Sequence, residues 1–557
     1  MNDWSSSKHR FVADLGFVLG ASIIIFIASM LAISALLFAT GHPLSQYNFW
    51  LALLVTTISI WLLCSHYFDS KKAFVFIGVM LCLSGIFLSG TALEGKIYDL
   101  SWDGQTYQQE GIIQLANGWN PFHDPPLRVA NSIWINHYAK GPWIASASLD
   151  LLTGQIEQSK VFSPLLIVSS FSLCLSALLN CYKRRLRESL VLSLLAACNP
   201  ISVMQATTFY IDGQLSSMLV IIMALLFTMI FKPTLLSALA LILSMIIAIN
   251  IKFTALPYLL ALILPIMLYL FLSRRIQPVR VMALSLAIGL TAGLPLVGFN
   301  PYVTNTLSNG NPFYPVAGPN AVDIMTVNSP ANFGALNRLQ KLATSLFCRT
   351  EDAVSPHASH LKRPFTLTEE ELNTIAPDTR IGGFGPLFGG AVLLSLLLII
   401  ISWPVDRKKT VFYTGLLLAI LCSALVNPEA WWARYAPQVW LLPVVCIMLG
   451  LAVDRSLHKA VALSIVLVLM LNLALVSGSY FQRQHKGNLI LKGQLAEMKQ
   501  APLNLVKFRT MRSNRVRFDE LGIHYQTITT LDGRGVKYLD FSDTAYEEVR
   551  LQTAAAQ

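Results

Sequence analysis

The chain has 557 residues, of which 54% are hydrophobic and only 13% are charged, so it lacks the charged surface of a soluble protein of this length. A formal net charge of +11 would suggest nucleic acid for a soluble chain, but here the lysines and arginines lie in short gaps between apolar stretches. We therefore predict no nucleic-acid partner, and the cysteines form neither a CxxC zinc pattern nor a disulfide framework.

Uncharged apolar runs recur along the chain, each near the ~20 residues that cross a bilayer. The first run, residues 16–40, is too long for a signal-peptide core and lacks a small-residue cleavage site, so we interpret it as an uncleaved span. The sequence predicts an all-α polytopic membrane protein with about 13 transmembrane helices, at 13–40, 49–67, 73–93, 161–181, 188–207, 214–231, 234–251, 255–273, 280–298, 385–403, 410–427, 436–453 and 460–478.

The gaps between these spans differ in charge, which predicts their orientation. One set of short gaps carries only Lys252 and Arg434. The other set is rich in basic residues: Lys8, Arg10, Lys71, Lys72, Lys183, Arg184, Arg185, Arg187, Lys232, Arg274, Arg275, Arg280, Arg407, Lys408, Lys409, Arg455 and Lys459. We expect the basic set to be cytoplasmic, with the N-terminus inside and the C-terminus outside.

Three larger segments then fall outside the membrane, at 94–160, 299–384 and 479–557. The last segment mixes charged helical and short alternating stretches, which favours a small α/β appendage. We expect two units: a membrane region over 1–478 with its two external loops, and a small extracytoplasmic domain over 479–557.

Loop 94–160 carries Asp99 and Asp103, whose i, i+4 spacing would place them on one face if the segment were helical, although Trp102 and Gly104 favour a turn there. Residues 105–117 predict a short amphipathic helix on the membrane surface, ended by Gly118. A carboxylate held close after a span suits a general base. The alternative is that these carboxylates are solvated loop charges.

Lys252 is the lone charged residue in 233–272 and lies at the outer edge of two spans. Ionisable groups at such positions are costly and usually functional, and a lipid phosphate is a natural partner. The alternative is a lysine that extends to the interface. The neighbouring hairpin, 200–216, contributes Tyr210 and Asp212 as further candidates.

Arg434 follows Trp431 and Trp432 and precedes Tyr435. A guanidinium can bind a phosphate through two parallel hydrogen bonds. The three aromatic rings, including that of Trp432, could stack on the face of a sugar. The alternative is that these residues only anchor the chain at the membrane interface.

Loop 299–384 contains Asn300, which could bind a sugar hydroxyl or form a turn, and Arg380, a weaker phosphate candidate. Its glycines form no phosphate loop, because no strand precedes them and no Lys-Ser/Thr follows. The chain also contains no Walker, HExxH or GxSxG motif.

Several short motifs, taken together in their order, resemble bacterial membrane glycosyltransferases of the GT-C superfamily. They cover roughly 90–440 of the chain, and they are Asp99-Leu-Ser-Trp-Asp-Gly-Gln-Thr-Tyr107, Gly118-Trp-Asn-Pro121, Asn136-His-Tyr-Ala-Lys-Gly-Pro142, Asn300-Pro-Tyr-Val-Thr-Asn305, Gly310-Asn-Pro-Phe-Tyr-Pro315 and Trp431-Trp-Ala-Arg-Tyr435.

The resemblance implies a GT-C-like fold and a polyprenyl-phosphate sugar donor used at the periplasmic face of the bacterial inner membrane. The family's essential acidic residue matches Asp103 best and Asp99 second. Its cationic phosphate contacts match Lys252 and Arg434 by sidedness. The motifs add three substrate-binding candidates: Tyr107, His137 and Lys140. The chain departs from many members in having this acidic loop after the third predicted span rather than the first.

We therefore expect inverting transfer of a sugar to a cell-envelope glycan, lipid or protein acceptor, with Asp103 as the base. The alternatives are a polysaccharide polymerase or ligase that uses a diphosphate-linked donor, a transporter or flippase, and a scaffold without catalysis. No cofactor is required by the sequence, although the acidic residues of loop 94–160 could hold a divalent cation.

Overall fold

The computed structural model of the protein describes residues 2–182, 185–531 and 535–549. The chain up to residue 500 is helical, with the following helices in order: α1 (Asn2–Ala39), α2 (Tyr47–Phe68), α3 (Lys72–Glu94), α4 (Gln109–Ala116), α5 (Ser132–His137), α6 (Gly141–Thr153), α7 (Phe162–Ala177), α8 (Leu186–Ala197), α9 (Pro200–Met204), α10 (Asp212–Phe231), α11 (Leu235–Ile251), α12 (Ala255–Leu272), α13 (Ile276–Thr291), α14 (Thr304–Asn309), α15 (Arg338–Phe347), α16 (Glu369–Thr374), α17 (Phe388–Ser402), α18 (Arg407–Leu425), α19 (Leu441–Val453) and α20 (Ser456–Gln500).

Shorter 3₁₀ and π turns extend or join these helices. They lie at Asp69–Lys71, Gly104–Gln108, Ile156–Val161, Leu178–Tyr182, Gln205–Thr207, Ala292–Val297, Phe299–Val303, Thr326–Asn328, Ala331–Phe333, Ala433–Tyr435 and Pro437–Trp440.

Within the described residues, 8 helical stretches are long and apolar enough to cross a membrane, or 9 if α8 and the bent segment after it form one span. Three further apolar helices are shorter: α11, α17 and Pro437–Val453. The predicted spans fall on these helices, but their predicted number is not confirmed. One reason is that α2, α3 and the turn between them form a single 48-residue helical stretch. The stretch is interrupted at Asp69, whose φ is 35°.

Close packing joins the first helix to the bundle. Gly16 and Gly20, four residues apart on α1, lie against α7, where an added Cβ at Gly16 would come 2.8 Å from the Ser172 carbonyl oxygen. The Ser169 hydroxyl donates to the Gly20 carbonyl across the same contact at 2.9 Å. Small residues at this spacing let two helices in a membrane approach closely, so this contact fixes α1 against the core.

The segment 94–160 packs into the protein rather than lying on a membrane surface as predicted. Gln108 and Glu110, which precede or begin α4, are buried and paired with Trp143 and Arg515. These polar partners explain why a helix that looks amphipathic by sequence is enclosed. The helix ends as predicted, at Gly118, which has a φ of +96°.

The chain after the last span forms a helix and a small sheet. Helix α20 runs unbroken for 45 residues and continues past the predicted span end at 478 to Gln500. The elements that follow are β1 (Leu503–Lys507), α21 (Asn514–Leu521), β2 (Tyr525–Thr527), β3 (Lys537–Tyr538) and β4 (Ala545–Val549). The sheet has the order β2-β1-β4-β3, in which β1 and β2 are parallel and β4 pairs antiparallel with both β1 and β3. The predicted small α/β composition of the tail is confirmed.

This C-terminal domain has its own apolar core, in which the end of α20 packs on the sheet and on α21 through Leu491, Leu495, Val506 and Phe518. It contacts segment 94–160 through hydrogen bonds, among them Gln484 to the Tyr98 carbonyl at 2.8 Å. The segment that carries Asp103 is therefore held between the helix bundle and the C-terminal domain.

Candidate active site

A cavity of about 1050 Å³ lies at the end of the bundle where segments 94–160 and 299–384 meet the helices. Its walls bring together residues that are far apart in sequence. The sequence-predicted candidates that line it are Asp103, Tyr107, Tyr210, Asp212, Lys252, Arg380, Trp432 and Arg434.

Four of these residues form one charged cluster, which we call the cavity cluster: Asp103, Asp212, Lys252 and Arg434. The Arg434 guanidinium lies 3.0 Å from the Asp103 carboxylate and 3.5 Å from that of Asp212. The Lys252 ammonium lies 2.5 Å from the other oxygen of Asp212. Two carboxylates and two cations thus alternate, which allows each charge to be buried beside an opposite one.

The ends of helices place these side chains. Asp212 begins α10, where the positive end of the helix dipole stabilises a carboxylate. Lys252 lies in the short connection between α11 and α12. Arg434 lies in the 3₁₀ turn Ala433–Tyr435, and Asp103 directly precedes the π turn Gly104–Gln108. The cavity cluster therefore sits where the backbone leaves regular helices, on well-packed supports.

Aromatic rings surround the Arg434 guanidinium, whose central carbon lies 4.5 Å from the centre of Trp432 and 5.0 Å from those of Tyr210 and Tyr435. Such rings stabilise a cation in place of water. Arg434 is only 8% exposed, and its Nε has no hydrogen-bond partner. A buried N–H without a partner is costly, so the protein does not by itself complete the hydrogen bonding of this guanidinium.

Asp103 also accepts a hydrogen bond from the Tyr107 hydroxyl at 3.1 Å. Burial and the charge of Asp103 raise the pKa of Tyr107 well above its usual value, so the phenol stays protonated and remains a donor. Asp103 is consequently held as an oriented carboxylate that faces the cavity.

Asp99, the second candidate base, lies outside the cavity lining and is 0% exposed. Its two oxygens accept the backbone N–H groups of Ser101 and Phe209, each at 2.7 Å. Burial and the nearby Glu157 raise its pKa. An added Cβ at Gly104 would come 1.9 Å from its carboxylate, so the turn before Asp103 requires glycine there. These contacts indicate that Asp99 shapes the turn.

Three other candidates lie outside the cavity lining. His137 hydrogen-bonds to the Asn305 side chain at 2.7 Å, and burial lowers its pKa. Lys140 is buried and donates to the carbonyls of Asn136 and Tyr138, and burial lowers its pKa well below the usual value. Asn300 donates to the Pro121 carbonyl at 3.1 Å. Their predicted roles in substrate binding stay predictions.

Arg380 reaches the cavity but is engaged by Asp352 at 2.5 Å and by Asn328 at 2.8 Å. It also lies over Trp432, with 5.2 Å between the guanidinium carbon and the ring centre. Arg380 and Arg434 therefore share Trp432 as a common aromatic neighbour.

The structure adds two cavity-lining residues that the sequence interpretation did not single out, Tyr138 and Asp378. Asp378 accepts from the Tyr210 hydroxyl at 3.1 Å. Tyr138 lies inside the motif 136–142, which was its only signal in the sequence. Tyr435, which the sequence indicated as an aromatic neighbour of Arg434, also lines the cavity, and its ring lies 4.3 Å from the Lys252 ammonium.

Metal binding was left open by the sequence. Among the residues that the structure describes, no group of three or more His, Cys, Asp or Glu side chains could hold a metal ion.

Comparisons with known proteins give little sequence similarity. No family model matches the chain, and no curated protein matches it. Among solved structures, it is similar to ArnT from Cupriavidus metallidurans in the apo state, at 13% identity and a TM-score of 0.45, over 83% of this chain and 87% of that one. The same protein bound to undecaprenyl phosphate matches at 13% identity and a TM-score of 0.43, over 82% of this chain and 86% of that one. At this similarity the chain is assigned to no family, and its function rests on the cavity.

Proposed function

We propose that the protein is an integral membrane glycosyltransferase of the GT-C type. It transfers a sugar from a polyprenyl-phosphate donor to a hydroxyl group of a cell-envelope glycan, lipid or protein. The observation that carries this proposal is the contact between Asp103 and Arg434 in a cavity that also holds Lys252 and the unpartnered Nε of Arg434. A base and a cationic anion site are thus adjacent, as displacement of a phosphate requires.

The reaction transfers one proton to Asp103 and one glycosyl group to the acceptor oxygen. Asp103 accepts the proton of the acceptor hydroxyl as that oxygen forms a bond to the anomeric carbon. The bond from this carbon to the phosphate oxygen breaks, and its electron pair stays on the departing polyprenyl phosphate. Attack from the face opposite the leaving group inverts the anomeric centre.

The charges of the cavity cluster link proton transfer to Asp103 with departure of the polyprenyl phosphate. In its free form the two carboxylates balance the two cations, Lys252 and Arg434. Protonation of Asp103 removes one negative charge beside Arg434, so the guanidinium becomes available to the phosphate at the moment its negative charge grows. Stabilising charge where it develops is usually the largest contribution to such a reaction.

The balance of charge also favours a monophosphate donor over the diphosphate donor of a polymerase or ligase. The cavity cluster has no excess of cations, and Arg380 is already paired with Asp352. A diphosphate would bring more negative charge than a monophosphate into a cluster that has no spare cation to balance it.

We further propose that the cavity opens to the periplasmic face of the bacterial inner membrane, with the N-terminus in the cytoplasm. Lys252 supports this orientation, because it stands among the few basic residues in the short gaps on that side. The C-terminal domain, which contacts the same end of the bundle through Tyr98, would then be periplasmic.

Asp103→Asn tests the proposed base directly. Transfer from radiolabelled undecaprenyl-phosphate hexoses and pentoses to membrane acceptors should fall by about 10²–10⁴, the usual contribution of a general base. The matched control is Asp124→Asn in the same segment, because Asp124 is exposed and accepts from the Asn120 N–H, which an amide oxygen can also do. Full transfer by Asp103→Asn at normal protein levels would overturn the proposal.

A further inference from the structure

Trp102 directly precedes Asp103 and lines the same cavity, yet it is 58% exposed. The other exposed tryptophans with described side chains lie on apolar helices or next to their ends: Trp50 and Trp61 on α2, and Trp403 after α17. Lipid would cover those three rings. Trp102 instead lies in the segment between α3 and α4, outside the apolar helices, so its indole is open to the cavity and to solvent.

The exposed indole is not the result of a loose turn. The Gln105 side chain donates to the Phe541 carbonyl at 2.8 Å, and the Ser513 hydroxyl donates to the Gln105 carbonyl at 2.6 Å. Arg517 donates to the Asp99 carbonyl at 2.6 Å on the other side of Trp102. The C-terminal domain therefore holds the turn from both ends, and a large apolar side chain is displayed on a fixed support.

The adjoining wall of the cavity has matching chemistry. It contains a second indole, Trp134, together with Thr106 and Asn131. The Asn131 amide donates to the carbonyls of Thr106 and Thr510, each at 3.3 Å, which ties this wall to the C-terminal domain as well. The Trp134 ring lies 5.3 Å from that of Tyr138, which keeps it in place. Two indoles in a cavity wall that also carries Thr106 and Asn131 suit a sugar ring, which has apolar C–H faces and a polar edge.

Position in the cavity separates this wall from the phosphate site. Lys252 lies between α11 and α12 and pairs with Asp212 at the start of α10, so a lipid-linked donor would reach the phosphate site from these apolar helices. Asp103 contacts Arg434 through its carboxylate, and its chain neighbour Trp102 lies outside the apolar helices with an exposed indole. An acceptor bound against Trp102 would therefore lie next to Asp103.

We infer that Trp102 and Trp134 form an acceptor subsite that binds a saccharide. This inference rests on the proposed glycosyltransferase function and narrows its acceptor to a glycan or a glycolipid, rather than a protein side chain. The sugar ring stacks on the Trp102 indole and presents one hydroxyl to Asp103.

The test measures binding without catalysis, so that it is independent of the donor. The full-length protein in lipid nanodiscs is titrated with the methyl glycosides of glucose, galactose and N-acetylglucosamine, with cellobiose, and with a short Ser/Thr peptide, by saturation-transfer NMR. At least one saccharide should bind. Trp102→Ala should weaken that binding about tenfold, the size of one aromatic contact, and Trp102→Tyr should restore most of it. Trp61→Ala, an exposed tryptophan on α2, is the control and should bind as the wild type does.

Each outcome either supports or overturns the inference. No saccharide bound by the wild type, equal binding by Trp102→Ala, or Trp102-dependent binding of the peptide alone would each overturn the inference. If saccharide binding depends on Trp102 while Asp103→Asn retains full transfer, the subsite stands and the proposed catalytic function fails. Because Trp102 is largely exposed, its removal should leave the fold intact, and the melting temperature of each variant checks this.

Discussion

Two clusters of buried charges lie on either side of the turn at Asp99–Asp103. The cavity cluster is one. The other, which we call the enclosed cluster, consists of Asp99, Glu157, Lys160 and Arg517. Both contain two carboxylates and two cations, and both join segments distant in sequence. They differ in what surrounds them: the Lys252 side chain is 22% exposed in the cavity, whereas that of Lys160 is 0% exposed.

The enclosed cluster is satisfied by the protein itself. Glu157 accepts from Lys160 at 2.6 Å and from two nitrogens of Arg517 at 2.7 and 3.1 Å. Arg517 also donates to Gln105 and to the Asp99 carbonyl. None of its four residues lines the cavity beside Asp103. We interpret it as a structural joint between segment 94–160 and the C-terminal domain.

The comparison shows that buried charge by itself does not mark an active site. What distinguishes the cavity cluster is the adjoining space and the Arg434 Nε, which has no partner within the protein. A charged cluster that adjoins a cavity can bind a ligand, whereas one that is enclosed by the protein joins its segments.

The largest effect is expected from Arg434→Ala, which tests whether the cavity cluster acts in sugar transfer. We expect sugar transfer to fall by about 10²–10³, the usual cost of losing one donor that stabilises transition-state charge. Undecaprenyl phosphate should also stop raising the melting temperature of the purified protein. Arg434→Lys should recover little, because a lysine cannot reach Asp103 and Asp212 together as the planar guanidinium does. Transfer within threefold of the wild type would remove the cavity cluster from the mechanism.

Substitutions in the enclosed cluster should lower the stability of the protein instead. Arg517→Ala leaves Glu157 buried with one partner fewer, and breaking such a pair costs about 3–5 kcal/mol. We expect a lower melting temperature and less folded protein. The double variant Arg517→Ala/Glu157→Ala should lose less than the sum of the two single changes, because the two side chains share one contact. Arg512→Ala is the control, because Arg512 is an exposed arginine close to Arg517 in the chain. Additive losses would contradict a coupled joint.

The sequence predicts the two clusters unequally. Asp103, Lys252 and Arg434 are found because each breaks a local pattern: a carboxylate soon after a span, a lone lysine between two spans, and an arginine among tryptophans. Asp212 and Tyr210 come from a neighbouring hairpin. Such signals lie within a few residues of each position, so they can be detected without a structure.

The enclosed cluster could not be found in this way, because Glu157 and Arg517 are 360 residues apart in sequence. The i, i+4 spacing of Asp99 and Asp103 would give a common face only in a helix, and residues 99–101 are not helical. In the structure Asp99 caps the backbone at Ser101 and Phe209, and only Asp103 reaches the cavity. Long-range hydrogen bonds, not local periodicity, separate the two roles.

The smallest effect concerns the pH dependence of the joint. Glu520 accepts the Ile156 N–H at 2.8 Å, and burial raises its pKa to about 7, with contributions from Glu157 and Asp150 that Arg517 partly offsets. A carboxyl whose pKa is higher in the folded than in the unfolded state binds its proton more tightly when folded. Its contribution is therefore complete below the unfolded value near 4.5 and is lost as the pH rises to about 7.

We expect the melting temperature of the wild type to be lower at pH 8 than at pH 5, by an amount that reflects about 1 kcal/mol once the partial exposure of Glu520 is allowed for. Glu520→Gln keeps the acceptor oxygen for Ile156 and should flatten this dependence. Some slope of the same sign should remain, because burial raises the pKa of Asp150 to about 6. Equal slopes for the wild type and Glu520→Gln would show that the joint does not titrate through Glu520, and that its stability depends on the ion pairs of the enclosed cluster.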